Sequence, residues 1–207
     1  MNFLGHTHVA LAAGRDDPRW LLGAVLPDLA PMAGVRVPHA GLTGPLGEGV
    51  ACHLRADAAF HAHPDFRSGS RAIRHALAGR GVASGPARAV GHAGWELLLD
   101  GTLIGSDTEA AFHWALSVGD HAAPALPGEG DRARWRAFLA RGRMAGGLRY
   151  DDPAWVAARL HTMLARRPRL ALPDAQVGVV AEVLDAQAAA VREVAATVLA
   201  DTARRVG

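Results

Sequence analysis

The sequence predicts an all-α protein, one helical bundle over residues 1–207. Three observations carry this prediction. Capping residues and Gly/Pro breaks punctuate the chain at helix-length intervals. Apolar residues recur at three- and four-residue spacing. No segment alternates apolar and polar residues as a half-buried strand does.

The elements follow in order. Asn2 can cap a first helix to about Ala13, ended by Gly14. Asp17-Pro18 is a capping carboxylate followed by proline at the first helical position. That helix carries Trp20, Leu21 and Leu22 toward Pro27, and the Pro/Gly-rich stretch 31–48 reads as a loop. A helix over about 47–62 ends at His63-Pro64; residues 65–79 form the next, stopped by the glycines of 79–85. Pro86–Ile104 and 107–118 are helical, and 119–130 is a loop. Trp135, Phe138 and Leu139 sit at i, i+3 and i+4 of a later helix. Asp151-Asp152-Pro153 starts a helix to about Ala165, and RRPRLALPD interrupts the chain. The last helix, 174–205, carries Val177, Val180, Leu184, Val191, Val194 and Val198 on one face. Its opposite face has alanines where charges are usual, so a homodimer is an expectation.

Composition narrows the function. With 207 residues, 50% of them hydrophobic, a core forms without staples. The single cysteine, Cys52, excludes an intrachain disulfide framework and suits a reducing cytoplasm. The opening MNFLGHTHVALAAG has no basic segment, and His6 and His8 interrupt its apolar run, so no signal peptide is predicted. No 18-residue apolar stretch exists to span a membrane. All 22 basic residues are arginine. Alanine and glycine richness explains this by a GC-rich genome, but the absence of lysine still excludes a P-loop, a pyridoxal Schiff base and a protein kinase. A net charge of +2 with dispersed arginines argues against nucleic acid as partner.

Two segments carry ionisable side chains every fourth residue: His53, Asp57 and His61, then His92, Glu96 and Asp100. Each four-residue step on a helix rotates by only about 40°, so each trio forms one stripe. Imidazole and carboxylate together are ligands for a divalent metal, and two facing stripes would build a metal site in a bundle. The alternative for the first trio is a solvated helix face. Against it, Ala58, Ala59 and Phe60 do not restore a polar surface. The second trio lies in an apolar run with Trp95 and Leu97–Leu99, where charge needs a partner or an ion. Asp100, beside Gly101 near a helix end, reads as structural.

Other residues weigh differently. His6 and His8 point about 200° apart on a helix, so at most one faces a site, and His6 is favoured. His63 before Pro64 reads as a cap. Cys52 and His53 point about 100° apart, so Cys52 reads as a buried thiol rather than a nucleophile. Arg166, Arg167 and Arg169 match phosphate geometry, with a solvated turn as the equal alternative. His39, His75, His113, His121 and His161 have no spacing partner.

MNFLGHTHVAL, GVACHLRADAAFHAHPDFR and RRPRL, in this order, resemble the acyl carrier protein phosphodiesterase family across nearly the whole chain. The resemblance implies a single-domain bundle of the HD phosphohydrolase type, a divalent metal (commonly Mn²⁺), and hydrolysis of the phosphodiester that joins 4′-phosphopantetheine to acyl carrier protein. It places His6, Asp28, His53 and Asp57 on motif positions. The chain departs from the pattern at His61, where the family often has aspartate, and at His92 and Glu96, where it has an aspartate pair. Added histidines favour Zn²⁺ or Fe. GAVLPDL and the His-x-x-x-Glu helix more weakly resemble zinc-dependent phospholipase C.

The expectation is therefore a metal-dependent phosphodiester hydrolase. Asp57, His61, His92 and Glu96 lead as metal ligands, followed by His53 and Asp28. His6 and His53 move protons, and the three arginines near 166–169 bind substrate. The alternatives are hydrolysis of a phospholipid or nucleotide, and a non-catalytic helical metal-binding or scaffold protein.

Overall fold

The computed structural model describes residues 1–38, 41–144 and 147–207; His39 and the centre of the 31–48 stretch lie outside them. Among the described residues all regular structure is helical. The helices are α1 (Phe3–Ala12), α2 (Pro18–Met32), α3 (Gly44–His61), α4 (Pro64–Gly79) and α5 (Ser84–Gly101). They continue as α6 (Asp107–Ser117), α7 (Glu129–Met144), α8 (Pro153–Leu164) and α9 (Val177–Arg204). Short 3₁₀ turns cover Gly119–Ala125 and Asp174–Gln176. No helix is long and apolar enough to cross a membrane.

Caps start the helices where the sequence places them. Asp17 accepts from the Arg19 N–H, and Asp152 from the N–H groups of Ala154 and Trp155. His63 caps α4, its Nδ1 accepting from the Asp65 N–H at 3.3 Å. Three stretches differ from the sequence reading, and the first is that α3 begins at Gly44, inside the stretch read as a loop. α2 does not end near Pro27 but runs through Pro27 and Pro31 to Met32. Each proline removes one hydrogen bond, yet most of α2 is buried apolar side chain, so packing outweighs the lost bonds. Asp28 therefore lies within a helix rather than at a helix–loop junction. The 119–130 stretch holds a 3₁₀ turn over Gly119–Ala125, a three-residue bend at 126–128 and the start of α7 at Glu129.

The chain divides into two compact units. Unit 1 comprises Met1, Phe60–Ile104 and Arg149–Ala200, hence α4, α5, α8 and most of α9. Its centre is an aromatic trio, Phe60, Phe66 and Trp95, with ring centroids 4.5 to 5.7 Å apart. Glycines let α4 and α5 approach closely. A Cβ on Gly69 would stand 2.2 Å from Trp95 Nε1, and one on Gly91 2.6 Å from the Ser70 carbonyl.

Unit 2 comprises Asn2–Ala59, Gly105–Leu148 and Asp201–Gly207, hence α1, α2, most of α3, α6 and α7. Its core includes Leu4, Val9, Leu21, Leu22, Val25 and Trp135, all buried. The buried indoles are satisfied: Trp20 donates to the Ala10 carbonyl at 3.2 Å and Trp135 to that of Gly119 at 2.9 Å. The backbones of α2 and α3 touch through Gly23 and Gly49. A Cβ on Gly23 would lie 2.2 Å from the Leu46 carbonyl oxygen, and one on Gly49 2.1 Å from that of Trp20.

Candidate metal centre

The predicted site residues fall into two groups, one per unit, and the first stripe is divided between them. In unit 2, His6 comes from α1, Asp28 from α2, and His53 and Asp57 from successive turns of α3. His6 Nε2 stands 3.8 Å from Asp28 Oδ2 and 3.8 Å from Asp57 Oδ1. His53 Nε2 stands 4.0 Å from Asp28 Oδ1. The two imidazoles stack with centroids 3.8 Å apart.

The close α2–α3 contact sets this geometry. Gly49 sits one turn before His53, and Gly23 next to Ala24. Their packing brings His53 Nδ1 to 2.8 Å from the Ala24 carbonyl oxygen. A carbonyl only accepts, so Nδ1 carries a hydrogen, and in the neutral ring this leaves Nε2, on the Asp28 side, as the metal-binding nitrogen. A backbone carbonyl orienting the far nitrogen is the usual support for a metal-binding imidazole.

His6, Asp28 and His53 can hold a metal ion. Donor atoms about 2.0–2.2 Å from one ion stand at most about 4.4 Å apart. The measured 3.8–4.0 Å lies within that span but beyond hydrogen-bond reach. Two carboxylates, Asp28 and Asp57, balance a divalent charge. Exposure is graded: the side chains of His6 and His53 are 1% and 6% exposed, those of Asp28 and Asp57 31% and 38%. The imidazoles form the floor and the carboxylates the open side.

In unit 1, His61, His92 and Glu96 also satisfy metal-ligand spacing, but their geometry is that of a hydrogen-bonded charge cluster. Three donors converge on one oxygen, Glu96 Oε1. His61 Nε2 lies at 3.0 Å, His92 Nε2 at 3.2 Å and the Met1 ammonium at 3.2 Å. A single carboxylate already facing an ammonium offers a divalent ion less than the Asp28–Asp57 pair does. Burial pushes the Glu96 carboxyl up. The Met1 ammonium, then hydrogen bonds from His61 and His92, outweigh burial and hold it well below the usual carboxylate range.

A depressed carboxylate binds fewer protons folded than unfolded. The stability it contributes is therefore complete above the unfolded glutamate pKa, about 4.3, and is lost as pH falls below it. Glu96→Gln is expected to lower Tm at neutral pH and to flatten the decline of Tm below about pH 4.3. Parallel acid limbs for parent and variant in thermal melts would show that the cluster carries no such linkage.

The remaining candidates lie outside both groups. The Asp100 side chain is fully buried, Glu96 mostly so, and His92 half exposed, because the stripe drifts around α5. The Cys52 thiol is buried, and burial raises its pKa. His8 bonds the Thr108 hydroxyl at 3.2 Å, and burial lowers its pKa. Arg166, Arg167 and Arg169 are exposed on the turn after α8 in unit 1.

Sequence spacing missed the Ala24 carbonyl, which no side-chain motif announces. It also missed Arg88, one four-residue step before His92, which the same count extended backward would have found. No known family, curated protein or solved structure matches the chain.

Proposed function

We propose that the chain is a metal-dependent phosphodiester hydrolase whose centre is His6, Asp28, His53 and Asp57. The observation that carries the reading is the 3.8–4.0 Å spacing of imidazole and carboxylate atoms from three different helices, with His53 oriented by the Ala24 carbonyl. The four residues are also those on motif positions of the acyl carrier protein phosphodiesterase resemblance. Holo acyl carrier protein is accordingly the first substrate to test.

His6, His53 and Asp28 would hold the ion, which would supply Lewis acidity toward a phosphoryl oxygen and a water nucleophilic near neutral pH. Asp57, the most exposed of the four, accepts the proton of the attacking water. The buried imidazoles are better placed as ligands than as proton carriers, because their far sides face protein. Two imidazoles and one carboxylate are a mixed donor set that Mn²⁺, Fe²⁺ and Zn²⁺ all accept, with Mn²⁺ first by resemblance.

The test is elemental analysis of protein purified without chelator, with turnover of bis(4-nitrophenyl) phosphate and of holo acyl carrier protein. About one equivalent of divalent metal per chain is expected, with hydrolysis abolished by chelator and restored by Mn²⁺ or Zn²⁺. The double variant H6A/D28N is expected to lose the metal, and H61A/E96A to keep it. Metal lost only from the second variant would move the centre to unit 1. Absence of metal after incubation with Mn²⁺ and Zn²⁺ would end the hydrolase reading.

A further inference from the structure

Unit 1 contains a groove of about 360 Å³ between α5 and α8, roofed by the turn 165–170. Its floor is apolar: Leu160 and Leu164 are buried, Leu170 is half buried, and Met163 is 42% exposed. Arg88 and Arg167 line one side, and an adjoining recess adds Arg169. The turn sits tightly on α5, since a Cβ on Gly85 would lie 2.6 Å from the Arg169 carbonyl oxygen. His161, donating from Nδ1 to the Leu172 carbonyl oxygen at 2.9 Å, anchors the chain after the turn.

The charge on this rim is not used internally. The arginines of unit 1 that pair with carboxylates are Arg80, with Glu182, and Arg149, with Asp152. Among the described residues no carboxylate lies against Arg88, Arg167 or Arg169. Three guanidinium groups beside an apolar trough that leaves a methionine in water are complementary to an anion with an apolar tail. Guanidinium forks match a phosphate's oxygens, and the trough takes the alkyl chain. A protein partner is less suited, because the surface is concave and its apolar part is short.

We propose that this groove is a binding site for an alkyl phosphate, with the headgroup on Arg88, Arg167 and Arg169 and the tail over Met163, Leu164 and Leu160. The site stands without the metal centre, since none of its residues belongs to unit 2.

Calorimetric titration of the full chain with octyl phosphate, below its micelle concentration, tests this. Inorganic phosphate and octanol serve as the half-ligands. Octyl phosphate is expected to bind at least about tenfold more tightly than inorganic phosphate, since each buried methylene adds favourable transfer. R88A/R167A is expected to weaken octyl phosphate about tenfold or more, because charged hydrogen bonds are lost. M163Q, which removes apolar surface without adding charge, is expected to weaken octyl phosphate while leaving inorganic phosphate unchanged. Equal affinity for octyl and inorganic phosphate would overturn the apolar half of the site. Unchanged octyl phosphate affinity in R88A/R167A would overturn the whole. Both substitutions lie on exposed side chains, and the parent's far-ultraviolet spectrum and Tm in each variant verify that the fold is intact.

Discussion

Asp57→Asn is expected to lower kcat for phosphodiester hydrolysis about 10²- to 10⁴-fold while the protein still carries its metal. The expectation rests on unequal placement. His6 and His53 are the buried residues of the proposed ligand set, and Asp28 stands near both, at 3.8 and 4.0 Å. Asp57 stands 3.8 Å from His6 and is the most solvent-exposed of the four. Asparagine keeps its size and one oxygen but cannot take up a proton at neutral pH, so the ion stays and the base is gone. The readout separates roles. Loss of metal along with activity would make Asp57 a principal ligand, and retention of both would remove it from the reaction. Asp28→Asn is the contrast, expected to reduce metal affinity first and activity in consequence.

The second large effect concerns the fold beneath the site. Gly49→Ala is expected to destabilise the protein by about 2–4 kcal/mol and to lower Tm by roughly 4–16 °C. The added methyl would stand 2.1 Å from the Trp20 carbonyl oxygen and 2.9 Å from the Gly23 Cα. Both obstacles are backbone, so no side chain can move aside, and α2 and α3 must separate. Separation also lengthens the 2.8 Å bond from His53 to the Ala24 carbonyl. Metal affinity should therefore fall together with stability, although glycine 49 touches no ligand. Thermal melts and metal titration of the same preparation check both halves. A variant with parent Tm would mean that the helices have slack at this crossing.

The helices themselves were legible because their signals are local. Asp17-Pro18 and Asp152-Pro153 cap where a sequence reader places caps, and His63 does the same before Pro64. Pro27 misled for an equally clear reason. A proline's penalty is local, but the burial that overrides it along α2 belongs to the assembled unit.

The candidate site was legible in composition and only partly in membership. Four-residue spacing marked His53, Asp57, His61, His92 and Glu96, which the structure places in two side-chain clusters. It could not assign them to centres. A shared stripe states direction around one helix, whereas membership in a site depends on which other helices lie opposite each turn. On α3 the partners change between Asp57 and His61. The first joins His6, and the second joins Glu96 and His92.

What the sequence by itself determined is the all-α character, most helix starts, the absence of lysine chemistry and the presence of enough imidazole and carboxylate for a metal. These follow from single residues and their near neighbours. Only the tertiary structure decided that His6, Asp28, His53 and Asp57 converge while Glu96 is held by three donors. It alone brought the guanidinium groups of Arg88 and Arg167, which meet no carboxylate among the described residues, to the same apolar groove. Those outcomes depend on how closely helix backbones approach, which glycines 23, 49, 69 and 91 permit, and on contacts between residues far apart in the chain. No local pattern encodes that distance.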